Sequence, residues 1–327
     1  MKRLIAILLF LVLVAGGAVA YVADWNSKPL ELGRSITISL NSGESFISFA
    51  QRLESDGVVT KPRMWSWLAR MRGLARRVKA GEYAVSPMDT PESLLQRLVA
   101  GEVLSYEIQL IEGWTTMQSV REMASHDKLS HTLNGVDVET LLDVLGLPGG
   151  HAEGLFFPDT YRFVGGDSDA DILRRAYAKM RDELESAWTS RDLRVPYDTP
   201  YQALIAASLI EKETGRDEDR KHVSQVFMSR LLERMKLQTD PSVIYGLGDQ
   251  FHGNLQRHHL RRDGPYNTYV RRGLPPTPIA LPGAKSIAAA MHPGSENYLY
   301  FVSRGDGSSQ FSRSLTEHRA AVRKYQL

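Results

Sequence analysis

Apolar and polar positions divide the chain into one long apolar run followed by many short amphipathic segments. Leu4 to Ala23 is a stretch of 20 residues without a charged or strongly polar side chain, preceded by Lys2 and Arg3 and followed by Asp24 and Trp25. At about 1.5 Å per residue, a helix of that length spans about 30 Å, the thickness of a bilayer's hydrocarbon core. The positive pair keeps the N-terminus on the cytoplasmic side, so everything after Asp24 is expected to be exported. Tyr21 and Trp25 fall where interfacial aromatics anchor a span. A cleaved signal peptide ending near Ala18-Val19-Ala20 is the alternative. The run exceeds the roughly 7–15 residues of a signal's hydrophobic region, which favours a retained anchor.

Residues 24–34, with Pro29, Gly33 and mixed charges, read as a tether. Ser35–Leu40 alternates and is β-branched, predicting a strand that ends in the turn Asn41-Ser42-Gly43. Phe46, Phe49, Ala50 and Leu53 recur at helical spacing. A second helix begins near Pro62, with Met64, Trp65, Leu68 and Met71 as its apolar face. Gly81–Val85 reads as a short strand, and Thr90-Pro91-Glu92 opens a helix with proline at its first position. Strand, helix, helix, strand predicts a small α+β module. Gly113-x-Thr115, following an expected strand at Tyr106–Ile111, echoes Gly43-x-Ser45, but two occurrences do not make a repeat.

From about residue 105 a larger α+β domain is expected, with helices over 168–189 and 218–235 and strands at Tyr298–Val302 and Ser309–Ser312. The capping box Ser314-Leu315-Thr316-Glu317 starts the last helix. Leu274–Gly283, LPPTPIALPG, excludes a helix or central strand and is expected as an extended surface segment lining a groove.

Composition sharpens this picture mainly by exclusion. The chain has 327 residues, 43% of them hydrophobic, with Lys+Arg 40 against Asp+Glu 38 and a formal charge of +2. That balance supports a folded core and gives no reason to expect a nucleic-acid partner. The absence of cysteine removes disulfides, thiol nucleophiles, Cys-based metal sites and a lipidated N-terminal cysteine.

The most informative segment is Thr199–Gly215. Thr199 suits an N-cap, Pro200 the first helical position, Gln202 a capping box and Gly215 a C-terminal stop. Ala203 to Ile210 is apolar on every face except at Ser208, so the helix should be buried all round. Glu211 is the first charge met on leaving that core. It continues the stripe of Leu204, Ala207 and Ser208, where lost hydration should raise its pKa toward proton donation at neutral pH. Glu213 lies about 200° further round the helix and reads, with Lys212, as solvated. Taken alone, Glu211 also reads as an end-of-helix carboxylate paired with an arginine.

Its surroundings point to chemistry. Upstream, His151–Phe163 packs aromatics between Glu153, Asp159 and Arg162; downstream, Met235–Gly246 reads as a helix end running into a polar turn with Gln238 and Asp240, followed by Tyr266-Asn267-Thr268-Tyr269. Carboxylates, amides and tyrosines interleaved with aromatics suit a sugar-binding groove, although Phe156 and Phe157 read as core. His252, His258 and His259 lie among Arg257, Arg261, Arg262, Arg271 and Arg272, whose charge opposes a bound dication. That basic stretch reads either as a solvated loop or as an attractor of substrate carboxylates.

Together these segments resemble the YceG-like family of endolytic murein transglycosylases. The matches are EGLFFPDTYRF at 153–163, ASLIEKETG at 207–215, LQTDPSVIYGLG at 237–248, YNTY at 266–269, GLPPTPI at 273–279 and PG at 282–283. Leu281 departs from the polar residue the family often has before Pro-Gly. The resemblance implies an α+β fold in four parts: a cytoplasmic tip and transmembrane anchor over 1–23, the tether 24–34, a LysM-like module over 35–104, and a YceG-like catalytic domain over 105–327.

It also implies cleavage of the MurNAc–GlcNAc bond of nascent glycan strands to give 1,6-anhydroMurNAc ends. The first glutamate of the family's E-K-E-T motif, Glu211, is expected as the catalytic acid. Gln238, Asp240, Tyr266 and Asn267 are expected to bind the sugar, with Glu153 as an orienting carboxylate. No metal or cofactor is called for. The expected partners are peptidoglycan glycan strands and peptidoglycan synthases at a bacterial inner membrane, with the catalytic domain periplasmic. Two other readings stand beside this one: a membrane-tethered glycan-binding scaffold without catalysis, and a water-using muramidase with Glu153 or Asp240 as second carboxylate.

Overall fold

The computed structural model describes residues 2–326, which fold as two units of mixed α+β character. The first runs from the N-terminal helix to Tyr106 and includes Arg162–Gly166; the second comprises Glu107–Tyr161 and the chain from Asp167 onward.

In the first unit, α1 (Lys2–Ser27) is the only described helix long and apolar enough to cross a membrane, and its apolar side chains from Leu4 to Val14 are exposed. Helix continues as far as Ser27, so the first part of the expected tether is helical. Strand β1 (Ile36–Leu40) pairs antiparallel with β2 (Gly81–Val85), setting Ile38 opposite Tyr83. Between them lie α2 (Phe46–Ser55), capped by Ser45, and α3 (Pro62–Met71). Phe46 and Trp65 join these helices with ring centroids 4.8 Å apart. Met71, expected on the apolar face, is 69% exposed, and the i,i+4 pair Trp65 and Ala69 faces the core instead. Helix α4 (Pro91–Ala100) starts at the Thr90 cap and stops at Gly101, whose φ of 74° favours glycine. Arg97 ties it to the preceding turn by two 2.7 Å bonds to Asp89.

The chain passes between the units along β3 (Ser105–Gln109) and back along its partner β4 (Thr160–Val164). The second unit holds α5 (Thr116–Ala124), α6 (Leu141–Leu145), α7 (Asp169–Thr189), α8 (Pro200–Glu213), α9 (Asp217–Leu232), α10 (Asp240–Leu247), α11 (Arg257–Arg261) and α12 (Ala284–Met291). It closes with the hairpin β5 (Tyr300–Ser303) and β6 (Ser309–Ser312), followed by α13 (Leu315–Tyr325). Helix α8 is the axis of this unit: Ala203 through Ile210 are all buried, and α7, α9, α10 and α12 pack around them. Small residues on α8 (Ala203, Ala206, Ala207) and on α12 (Ala289, Ala290) allow this close approach.

Three local expectations are corrected here. Gln202 does not close a capping box on Thr199; its side chain accepts from Asp198 N at 2.7 Å, while Thr199 still caps the helix. The segment after Gln238 is helix α10 rather than a polar turn, started by Asp240 and Pro241. The proline-rich stretch is extended but largely interior. Thr277 to Gly283 is buried, and Ile279 N donates to the buried Ser208 Oγ at 3.0 Å. Its first part, Leu274 to Pro276, lines a cavity of about 510 Å³ beside the start of α8.

Candidate active site

From Ala203 to Ile210 helix α8 has no solvent face, and in its last turn Glu211 and Glu213 leave the core on different sides. Glu211 enters a closed ion pair. Its Oε2 accepts from Gly283 N at 3.0 Å and its Oε1 from Arg220 Nη2 at 3.4 Å, and both side chains are only 6% exposed. Arg220 also donates to Ser286 Oγ at 3.2 Å and to Asp217. Beside them, the Glu112 carboxyl packs so closely on Gly283 that a methyl group there would lie 1.9 Å from Glu112 Oε1. Burial, and then the charge of Glu211, raise the pKa of Glu112.

Glu213 meets the opposite environment and is not solvated as expected. Burial lifts its carboxyl from 4.5 to about 7, with the charge of Asp240 adding to the rise and the Thr239 hydroxyl and Arg230 opposing it. It stands on the wall of a cavity of about 490 Å³, which Arg230, Gln238, Asp240, Tyr269 and His318 also line. The pKa rises because a charged carboxylate there forgoes hydration that no buried cation fully replaces.

The cavity wall is held by its own bonds. Arg230, buried within α9, donates to Leu299 O and Leu237 O, both at 2.7 Å, and so joins α9 to the residue before β5 and to the segment before α10. Its guanidinium lies 5.2 Å from the Tyr300 ring centroid. Tyr269 OH donates to Asp240 Oδ1 at 2.6 Å. Gln238 has φ of 53°, a left-handed conformation that costs a non-glycine residue energy, and is fixed by its N–H on Thr268 O at 3.2 Å.

The residues expected to surround the sugar therefore divide. Gln238 and Asp240 share the cavity of Glu213, whereas Glu211 faces Arg220. Tyr266 and Asn267 line a separate cavity of about 190 Å³ with His259 and Arg262. Tyr266 OH is bonded to Thr277 Oγ1 at 2.8 Å. Asn267 is held by its neighbours: Nδ2 donates to His259 O and Arg262 O, and Oδ1 accepts from Tyr269 N. Its amide braces the YNTY turn against the end of α11.

Glu153 is 1% exposed and lies inside the unit. It accepts from Thr116 N at 2.8 Å, Thr116 Oγ1 at 3.1 Å and Tyr245 OH at 3.1 Å, and burial raises its pKa. This carboxyl orients Tyr245, whose ring meets Tyr266 at 4.9 Å, and it cannot contact substrate directly. The burial of Glu213 and the places of Arg230, His318 and Glu112 escaped the sequence reading. The one available signal was a charge, Arg230, set among apolar residues in VFMSRLL.

A carboxyl that burial lifts to about 7, on the wall of a polar cavity, has the properties a general acid–base needs. The chain matches the model of the YceG-like family over residues 38–324 and belongs to that family. It is 30% identical over 332 residues to the endolytic murein transglycosylase of Bacillus subtilis (strain 168), covering 96% of this chain and 91% of that protein. It is 25% identical over 360 residues to the endolytic murein transglycosylase of Streptococcus pneumoniae serotype 2 (strain D39), covering 98% of this chain but 64% of that longer protein. The 2.6 Å crystal structure of a YceG-like protein from Listeria monocytogenes superposes with a TM-score of 0.52 at 29% identity, covering 88% of this chain and 98% of that one.

Proposed function

We propose that the protein is an endolytic murein transglycosylase in which Glu213, rather than Glu211, carries the proton. One observation carries the assignment: Glu213 combines a pKa lifted to about 7 with a place on the wall of the cavity that Gln238 and Asp240 also line. The names of the relatives supply the substrate, murein, and the reaction type.

Hydrolysis of a glycoside normally takes two carboxylates, but a lytic transglycosylase needs one, because the attacking hydroxyl belongs to the substrate. Neutral Glu213 donates its proton to the oxygen between N-acetylmuramic acid and N-acetylglucosamine as the C1–O bond breaks. The carboxylate so formed takes the proton of the muramic C6 hydroxyl while O6 closes on C1. A 1,6-anhydro end results, Glu213 is neutral again and no water is consumed. In this reading Arg230 steadies the transient carboxylate, and Gln238, Asp240 and Tyr269, which line the same cavity, hold the sugar.

In the same reading α1 is a retained anchor with its positive end in the cytoplasm of a bacterial cell, and the rest lies outside the inner membrane. The strand–helix–helix–strand order of 35–104 supports a LysM-like glycan-binding module beside a catalytic domain of 105–327. Peptidoglycan synthases are the proposed partners of the anchored enzyme. Asp240, in the cavity with Glu213, supports the muramidase as a second reading.

Mass spectrometry of glycan strands digested by the full chain separates these readings. Anhydro ends are expected. Reducing ends would establish the muramidase, and intact strands the scaffold.

A further inference from the structure

The last turn of α8 carries two carboxylates, and the proposed reaction uses one. A helix C-terminus is the wrong end for either, since its free carbonyls carry about half an electron of negative charge. For Glu211 that disadvantage is offset by Arg220 and the Gly283 amide. The connections run further: Arg220 reaches Asp217 and Ser286, Lys285 reaches the same Asp217, and Lys212 Nζ donates to Gly113 O at 3.0 Å. Glu112 adds a second carboxyl against Gly283. On its Glu211 side the turn is thus tied to α9, to α12 and to residues 112–113; on its Glu213 side it borders an open cavity. Nothing in the proton transfers requires a buried ion pair there, and such pairs are costly to assemble.

We propose that Glu211 and Arg220 are positioning residues, a clamp that fixes the last turn of α8 and so keeps the Glu213 carboxyl seated in the cavity wall. This rests on the reading of Glu213 as the proton carrier. The seat is what denies Glu213 its hydration. The charged and titratable groups that face it are Arg230 from α9, Asp240 from α10 and Tyr269 from the loop after α11, with His318 of α13 on the same cavity. None of them restrains the α8 backbone. If the clamp opens, the turn loosens, water reaches the carboxyl and its pKa falls toward the ordinary carboxylate range, so that less of it can donate at neutral pH.

The test is a carbon-13 titration of the Glu213 carboxyl in the full chain in detergent, its signal assigned by its disappearance in Glu213→Gln. The midpoint is expected near 7 in the wild type. In Glu211→Gln and Arg220→Met it should fall by about one pH unit, with kcat at pH 7.5 down about tenfold and KM within about twofold. Ser286→Ala, which removes one acceptor of Arg220, should lower the midpoint by less and decides the matter if the first two variants do not fold. An unmoved midpoint in the folded variants overturns the clamp. Because the titration needs no substrate, it reads the clamp even if the wild type cleaves no glycan, an outcome that would instead reject the function.

Discussion

Replacing Glu213 by glutamine should destroy activity and, above neutral pH, stabilise the protein. The folded state holds the proton of Glu213 with a pKa of about 7, while the unfolded chain returns it to 4.5. Between those values the native state binds more protons than the unfolded state, so stability falls as pH rises. The loss is complete once pH exceeds the folded value. At about 1.36 kcal/mol per pH unit, the gap costs the wild type about 3 kcal/mol at pH 8.5. Glutamine keeps the shape of the side chain and carries no charge to desolvate. Thermal unfolding of the full chain in detergent reads the difference. At roughly 2–4 °C per kcal/mol for a domain of this size, the variant should melt about 6–12 °C above the wild type at pH 8.5. The two should converge near pH 4, where Glu213 is protonated in both states. A difference that does not depend on pH, or a variant less stable than wild type at pH 8.5, would refute the claim that burial of the charge sets this pKa.

Other residues give separable outcomes. Asp240→Asn removes a negative charge that helps raise Glu213, so the upper pH limit of activity should move to lower pH, measurable in a kcat/KM profile. Glu153→Leu strands the buried Thr116 N–H and the Tyr245 hydroxyl and should cost about 3 kcal/mol in unfolding experiments, whereas Glu153→Gln, which keeps an acceptor, should cost less than about 1 kcal/mol. Gly154→Ala puts a Cβ 2.3 Å from that of Pro278 at a residue with φ of +78°; a loss of about 3 kcal/mol is expected, read as a lowered melting temperature.

The sequence made the scaffold of this site legible but not its orientation. Thr199, Pro200 and an apolar stretch free of breaks placed α8 within a residue or two, because caps and propensity act locally. The choice between Glu211 and Glu213 is different in kind. A helix apolar on every side has no polar face to show which way the cavity lies, so the stripe through Ser208 could not identify the open side. Ser208 turned out to face the buried proline-rich segment through Ile279, which makes Glu211's side of the helix the closed one. The proline-rich segment misled for a related reason: proline forbids regular structure but says nothing about burial. Asn267 was legible as a polar residue in a motif, and only the tertiary structure shows that its amide braces the YNTY turn against the end of α11. Arg230 and His318, far apart in the chain, come together only when the β5–β6 hairpin brings α13 over the cavity.

The central claim is that Glu213 moves the proton that cuts murein without water. The direct measurement is the rate at which the full-length wild type, Glu213→Gln and Glu211→Gln release 1,6-anhydro ends from glycan strands at pH 6, scored by mass spectrometry. Wild type should release anhydro ends, Glu213→Gln should be slower by about 10²–10⁴-fold, and Glu211→Gln should retain most of the activity at this pH, where even a carboxyl lowered by one pH unit is still half protonated. Full activity in Glu213→Gln together with a collapse in Glu211→Gln would contradict the account and return the proton to the other side of the helix.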